Sequence, residues 1–399
     1  MFQKLCDRNL QHKKRVQETV RKIIEDVKNR GDEALIKYTG KFDKVKLQVK
    51  KMRVTEGEMN GAYQNIKEDF IDVLKMALDN VSRFYKRQLP KSWKVKDRED
   101  GTVLVEKFQP LESIGMYVPG GTAPLVSTVY MTVVPARIAG VNKVVMCTPP
   151  NKFGTVDPHI LAVANLLNVN EVYKVGGAQA IAAMALGTKT IPKVDKVVGP
   201  GNQYVTEAKR QIYGFCDIDM LAGPSEIAII ANQYSNPDYV IADLRAQSEH
   251  LMGLSILVTT SKRLARFIKK EVSEGYIVLV KNLDEAVEVV NRIAPEHLSI
   301  MVKSPNRIVS KIKSSGAIFL GPYSPVVVGD YIAGPSHVLP TGGSARFSSG
   351  LSIYDFIKRQ HVISYSKKAL EKVNNAVQML AALEGLEKHL ESVRVRFEK

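Results

Sequence analysis

The sequence predicts an α/β protein with two parallel-sheet units and small helical segments at either end. Three observations carry that expectation. From about residue 112, apolar strand-like runs alternate with helix-patterned runs, and parallel strands need crossovers of that kind. Glycines close strands at VGGAQA (175–180) and GPGNQY (199–204). The alternation then restarts after Gly223 and Pro224, as a second unit would.

Taken in order, the first hundred residues read as a helical lead-in. Apolar positions recur at helical spacing in VQETVRKIIEDVKNRG, which Gly31 ends, and in FIDVLKMALDNVSRFYKRQ. Strand KVVMCT (143–148) is followed by helix LAVANLL, strand EVYKVGG and helix AQAIAAMALG, then strand KVVGPG and helix NQYVTEAKRQIYG. The second unit runs through strand EIAIIAN, a helix opening at Asn236-Pro237, strands LSILVTT and YIVLV, helix DEAVEVVNRIA, and strands LSIMV and AIFLG. From about 321 to 355 the chain is rich in Gly, Pro and Ser and too polar for a core, and long irregular loops of that sort usually carry function. A helix, SKKALEKVNNAVQMLAALEG, and the tail LEKHLESVRVRFEK follow.

Composition narrows the function classes. With 45% hydrophobic residues the chain has material for two cores. The start, MFQKLCDRNLQHKKRVQ, is polar, and nowhere do about eighteen apolar residues run together, so a cytoplasmic protein without membrane association is expected. Cys6, Cys147 and Cys216 have no pairing or CxxC spacing, which suits a reducing compartment and offers no cysteine-built metal site. The net charge of +16 is spread along the chain beside Glu and Asp, without a run of like charges or a nucleic-acid-binding motif. A solvated surface and no nucleic-acid partner follow, while anionic cofactor phosphates remain compatible with the charge.

The G-x-G-x-x-G fingerprint is absent, since GPGNQY lacks its third glycine and VGGAQA has other spacing. Both segments nevertheless open a helix whose free N–H groups either face a phosphate or simply close a tight turn; Gln179 and Asn202 are the polar groups they expose. In the helix capped by Asn236, Val240, Leu244, Gln247 and His250 share one face. Gln247 and His250 are therefore expected on a buried stripe, either as satisfied core residues or aimed at one ion, because an unsatisfied buried polar group costs about 1–3 kcal/mol. Leu386, His389, Leu390 and Val393 form a similar face, with Glu384 just before it, which also reads as a docking helix. Glu296 and His297 adjoin at a helix-to-strand junction, where an acid and a base can be presented together. Asp330 follows Gly329 in the irregular loop as a turn residue, a ligand, or both.

Over nearly its whole length the chain resembles the histidinol dehydrogenase family. The stretches that carry the resemblance are RKIIEDVKNRGDEALIKYTGKFD, ESIGMYVPGGTAPLVSTVYMTVVPARIAG, KVGGAQAIAAMALGT, VGPGNQYVTEAK, DMLAGPSEIAIIA, ADLRAQSEH, APEHL, GPYSPVVVGDYIAGPSHVLPTGGSARFSSGLSIYDF and LEGLEKH. The resemblance implies two Rossmann-like domains, one discontinuous over 11–116 and 225–350 and the other over 117–224. A segment 1–10 precedes them, and a helical tail, 351–399, packs on the partner of a homodimer. It implies one zinc ion per subunit on Gln247, His250 and Asp330, with His389 of the partner subunit. L-Histidinol is the implied substrate, with contacts at Ser225, Gln247, His250, His297, Asp330, Glu384 and His389. NAD is implied at Tyr117, Gln179 and Asn202, and Glu296 and His297 as the catalytic pair. Ser248 and the LMG stretch after His250 depart from the family's commoner choices.

Two Nδ/ε and two oxygen donors would leave room at the metal for the substrate's own nitrogens, unlike a hydrolytic zinc site. Two rival readings are an aldehyde dehydrogenase acting through a thiolate at Cys147 or Cys216, and a basic nucleic-acid-binding module.

Overall fold

The computed structural model describes residues 2–8, 14–120, 124–250 and 252–398. Strands buried on both faces need helices on both faces, and the near-continuous apolar runs are used in that way. A pair of largely exposed strands, β1 (Trp93–Lys96) and β2 (Val103–Pro110), comes first. β3 (Ser113–Tyr117), β4 (Lys143–Thr148), β5 (Glu171–Lys174), β6 (Lys196–Val198) and β7 (Asp217–Ile218) then form an all-parallel sheet in the order β5-β4-β3-β6-β7. A second parallel sheet has the order β10-β9-β8-β11-β12, from β8 (Glu226–Ala231), β9 (Leu254–Thr259), β10 (Tyr276–Leu279), β11 (His297–Met301) and β12 (Ala317–Leu320). In each sheet the chain starts at the centre, winds to one edge, then returns to fill the other side. The two are Rossmann-like, with switch points between β3 and β6 and between β8 and β11. Among the described residues no helix is long and apolar enough to cross a membrane.

The helix Lys14–Arg30 buries Val16, Val20, Ile23 and Val27, spaced four, three and four apart. Each such side chain contributes about 1.5–3 kcal/mol when fully buried. This stripe joins the core of the first sheet, against the helices Gly177–Leu186 and Gln203–Ile212. Residues 178–185 are all buried, so the Ala-rich helix is covered on its outer side as well, and its small side chains permit close approach. Residues of 14–42, which the expected division groups with 225–350, thus contribute to the core of the first sheet. That sheet also begins at Ser113 rather than after 116. The helix Phe2–Cys6 goes the other way, burying Leu5 in the core of the second sheet.

The chain divides into two compact units. One comprises Met1–Gln88 and Leu111–Phe356 and holds both parallel sheets; the other comprises Leu89–Pro110 and Ile357–Lys399. In the second unit, β13 (Ile357–Ser364) pairs antiparallel with β2 over its full length, and β1 pairs with the other side of β2. The helices Lys367–Leu383 and Glu387–Arg394 follow. The lead-in is thus not helical throughout, nor is the tail helical only. Short alternating strands such as WKVK carry too little periodicity to be separated from loops by pattern.

Candidate active site

Glu296 and His297 sit where β11 begins, at the amino-terminal edge of the second sheet, with His297 in register with Ile227 of β8. The neighbouring start of β8 holds both side chains. Glu296 Oε2 accepts hydrogen bonds from the Glu226 backbone N–H at 2.7 Å and from Ser225 Oγ at 2.9 Å. His297 Nδ1 lies 2.9 Å from the Glu226 carbonyl oxygen. A carbonyl only accepts, so Nδ1 carries the proton and Nε2 of the neutral ring is left as a base. The two side chains are buried and 3.6 Å apart at Nδ1 and Oε2.

Burial pushes the Glu296 carboxyl from its ordinary 4.5 up to about 7, while His297, the Glu226 N–H and Ser225 pull the other way. Protonation thus contributes stability that is complete below pH 4.5 and is lost as pH rises through 7. The substitution Glu296→Gln cannot ionise but keeps an acceptor oxygen. Its stability relative to the parent is expected to rise by about 3 kcal/mol between pH 4.5 and pH 8, measured by urea melts at both pH values. Parallel melts at the two values would remove the buried-acid assignment.

A cavity of about 700 Å³ opens beside the pair, lined among others by His297, Asp330, His337, Tyr85 and Phe319. Asp330 lies on the short helix Val326–Tyr331 rather than in an irregular loop, and its Oδ1 stands 3.8 Å from His297 Nε2. Tyr130 Oη donates to the Tyr331 carbonyl at 2.7 Å and Asn80 Nδ2 to that of Ile332 at 3.0 Å, so the helices Val126–Ala139 and Glu68–Tyr85 hold the segment that carries Asp330. Tyr85 Oη donates to the Leu351 carbonyl and accepts from the Ser336 N–H, both at 2.8 Å, which ties the far ends of the loop together.

His337 was not singled out from the sequence. Its Nδ1 lies 2.9 Å from the Asp330 carbonyl, so its Nε2 is also unprotonated in the neutral ring. Burial, with the nearby charges of His297 and His250, holds it below the usual imidazole range. A histidine in the polar GPSH run of a long loop was the available signal. Glu226 was missed as well: its carboxylate is buried in a bidentate pair with Arg8, at 2.7 and 2.6 Å, and accepts from the Gly342 N–H at 3.0 Å. Nothing in local pattern joins residues 218 positions apart.

Gln247 ends the helix Pro237–Gln247 and is buried beside Val240 and Leu244, as its phasing predicts. His250 is not on that stripe: Ser248 caps the helix, and His250 is exposed in the turn beyond it. Gln247 Nε2 is buried without a partner among the described residues. His389 and Glu384 are exposed in the other unit, beside a shallow cavity that includes Leu380 and Leu386. Their face is therefore open in the single chain rather than buried. Among the described residues, no three His, Cys, Asp or Glu side chains are gathered as metal donors. Leu251 and residues 121–123 of the PGGTAP stretch lie outside the described residues.

At the carboxyl-terminal edge of the first sheet, Tyr117 ends β3 and its Oη accepts from the Gly177 N–H at 3.0 Å. Burial raises its phenol to about 12. Gln179, just inside the next helix, has both amide atoms buried and without a partner among the described residues. Asn202 caps the helix Gln203–Ile212, its Oδ1 accepting from the N–H groups of Tyr204 and Val205. The turn before it needs glycine: Gly199 has φ +115°, and a Cβ there would stand 2.2 Å from the Tyr117 carbonyl oxygen. Buried Lys209 and Asp219 clamp this turn, Lys209 donating to the Gly199 carbonyl and Asp219 accepting its N–H, each at 2.9 Å. The cysteines are buried and free, and burial drives the Cys147 thiol far above its usual range and that of Cys216 up to about 12. That is the opposite of an activated thiolate.

Comparison with known proteins agrees with this architecture. The family model described as histidinol dehydrogenase matches residues 6–397. A histidinol dehydrogenase of Clostridium acetobutylicum is 48% identical over 415 residues, covering 99% of this chain and 96% of that protein. One from Bacillus cereus is 47% identical, covering 96% and 93%. The crystal structure of histidinol dehydrogenase from Elizabethkingia anophelis superposes with a TM-score of 0.92 at 36% identity, covering 99% of this chain and 95% of that one. The chain belongs to the histidinol dehydrogenase family.

Proposed function

We propose that this oxidoreductase is a zinc-dependent, NAD-linked enzyme that oxidises L-histidinol through L-histidinal to L-histidine, the last step of histidine biosynthesis. The carrying observation is the buried Glu296–His297 pair, held by the backbone of Glu226, with His297 at the wall of a cavity.

Gln247, His250 and Asp330, with His389 of the partner subunit, would hold the zinc. The donor set suits a borderline ion. A half-turn of the Gln247 amide would bring its oxygen to the position where a buried nitrogen now lacks a partner. The open apolar face around His389 supports a tail that is completed by a second subunit. The orphaned Gln179 amide at the carboxyl-terminal edge of the first sheet supports the cofactor assignment to Tyr117, Gln179 and Asn202. When bound, zinc supplies a Lewis-acid anchor for the substrate's imidazole and amino nitrogens, and NAD supplies the two-electron acceptor.

His297 Nε2, bare because Nδ1 is committed to a carbonyl, accepts the alcohol proton as the first oxidation proceeds. The Glu296 carboxylate, poised near neutrality by burial, removes a proton from the water that attacks the aldehyde. His297 returns its proton to the aldehyde oxygen as that water adds, which frees Nε2 to take a hydroxyl proton of the hydrate in the second oxidation. Ser225 Oγ donates to the Glu296 carboxylate at 2.9 Å and so helps to hold it in place for that step. The test is NADH release with histidinol, expected at two per histidine formed, abolished by chelation and restored by zinc. No histidinol-dependent NADH from fully metallated protein would overturn the reading.

A further inference from the structure

A second cavity, of about 520 Å³, shares no lining residue with the one that holds His297. It lies at the carboxyl-terminal ends of β3 and β4, where Thr148, Pro149 and Gly120 face Asp43, Lys152 and Phe153. Gly120 and Gly176 are required there because a Cβ on either would stand 2.2 or 2.5 Å from the Pro149 ring. The backbone is thereby pared away beside Gly177, Tyr117 and the orphaned amide of Gln179.

Asp43 is the unexplained group in this cavity. It is the last residue of the Asp32–Phe42 helix cap, where its backbone N–H bonds the Thr39 carbonyl, so its side chain is free of capping duty. Oδ2 is sealed from solvent and has no hydrogen-bond partner among the described residues. Burying a carboxylate without donors is costly, and a ligand that brings donors removes that cost. Asp157 lines the same cavity as a second acid, against one cation, Lys152, and this net acidity favours a neutral polyol over a phosphate. A vicinal ribose diol offers two O–H donors to one carboxylate.

We infer that Asp43 receives the ribose hydroxyls of the adenosine half of the dinucleotide and rejects a 2′-phosphate, which makes it the residue that selects NAD over NADP. The inference rests on the NAD-linked reading above. The adenosine half is assigned because the nicotinamide must reach His297, which lines the other cavity. Burial raises the Asp43 carboxyl to about 6, so it is still mostly ionised at neutral pH. In dinucleotide folds this duty ordinarily falls to an acid about 20 residues beyond the glycine turn; here it comes from a helix that precedes the sheet in sequence.

The test is calorimetric binding of NAD, NADP and adenosine to metallated full-length protein. The variants are Asp43→Asn and Asp43→Ala, with Gln179→Leu as the cofactor-site control, and melting temperature is recorded for each. Both Asp43 variants should melt no lower than the parent, since they remove a half-buried carboxylate whose Oδ2 has no partner among the described residues. Asp43→Asn should weaken NAD and adenosine roughly tenfold, and Asp43→Ala should narrow the preference for NAD over NADP by at least about tenfold. If Gln179→Leu weakens NAD while both Asp43 variants bind it as the parent does, the assignment of Asp43 is wrong and the cofactor site stands. If neither position affects NAD binding, both are wrong.

Discussion

The variant His297→Asn is expected to lose about 10²–10⁴-fold in kcat with little change in melting temperature. An asparagine amide can still donate to the Glu226 carbonyl that His297 now bonds at 2.9 Å, so the local geometry survives while the basic Nε2 is gone. The loss should fall on both oxidations, because the same nitrogen is asked to take a proton in each. It is measured by steady-state turnover with histidinol and, separately, with histidinal. Near-parent turnover on either substrate would show that His297 is not the base for that step.

The second large effect concerns stability. Arg8 donates to both oxygens of Glu226, and its guanidinium also donates to the carbonyls of Leu5 and Ile293. Glu226→Gln leaves that guanidinium buried without its counter-charge and is expected to cost about 3–5 kcal/mol. For a chain of this size the melting temperature falls by roughly 4–6 °C. Turnover should fall too, because the backbone N–H and C=O of Glu226 are what hold Glu296 and His297. The double variant Arg8→Met with Glu226→Leu removes both charges, and such replacements are often neutral. It should recover at least half of the lost melting temperature. No recovery would mean that the pair's charges are not the source of the loss.

Much of the candidate site was legible in the sequence because potential chemistry clustered on short motifs. Glu296-His297 are adjacent, and Gln247 falls on the stripe that its spacing from Val240 and Leu244 predicts. His250 was misplaced by the same logic, since periodicity extends a helix past the point where Ser248 ends it. The dependence of Glu296 and His297 on Glu226, and of the Asp330 segment on Tyr130 and Asn80, was invisible, because these are hydrogen bonds across 70 to 252 residues of sequence.

By itself the sequence determined the α/β class and the two parallel sheets, because apolar runs and glycine turns report burial and chain reversal locally. Only the tertiary structure decided at which edge of each sheet the candidate residues lie. Tyr117, Gln179 and Asn202 follow strands of the first sheet at its carboxyl-terminal edge, whereas Glu296 and His297 precede the body of β11 at the amino-terminal edge of the second. It also decided that the first two long helices cover the first sheet rather than the second. A buried stripe states that a helix must pack, but the partner is set by complementary shape, and here that is the small-residue surface of the helix Gly177–Leu186.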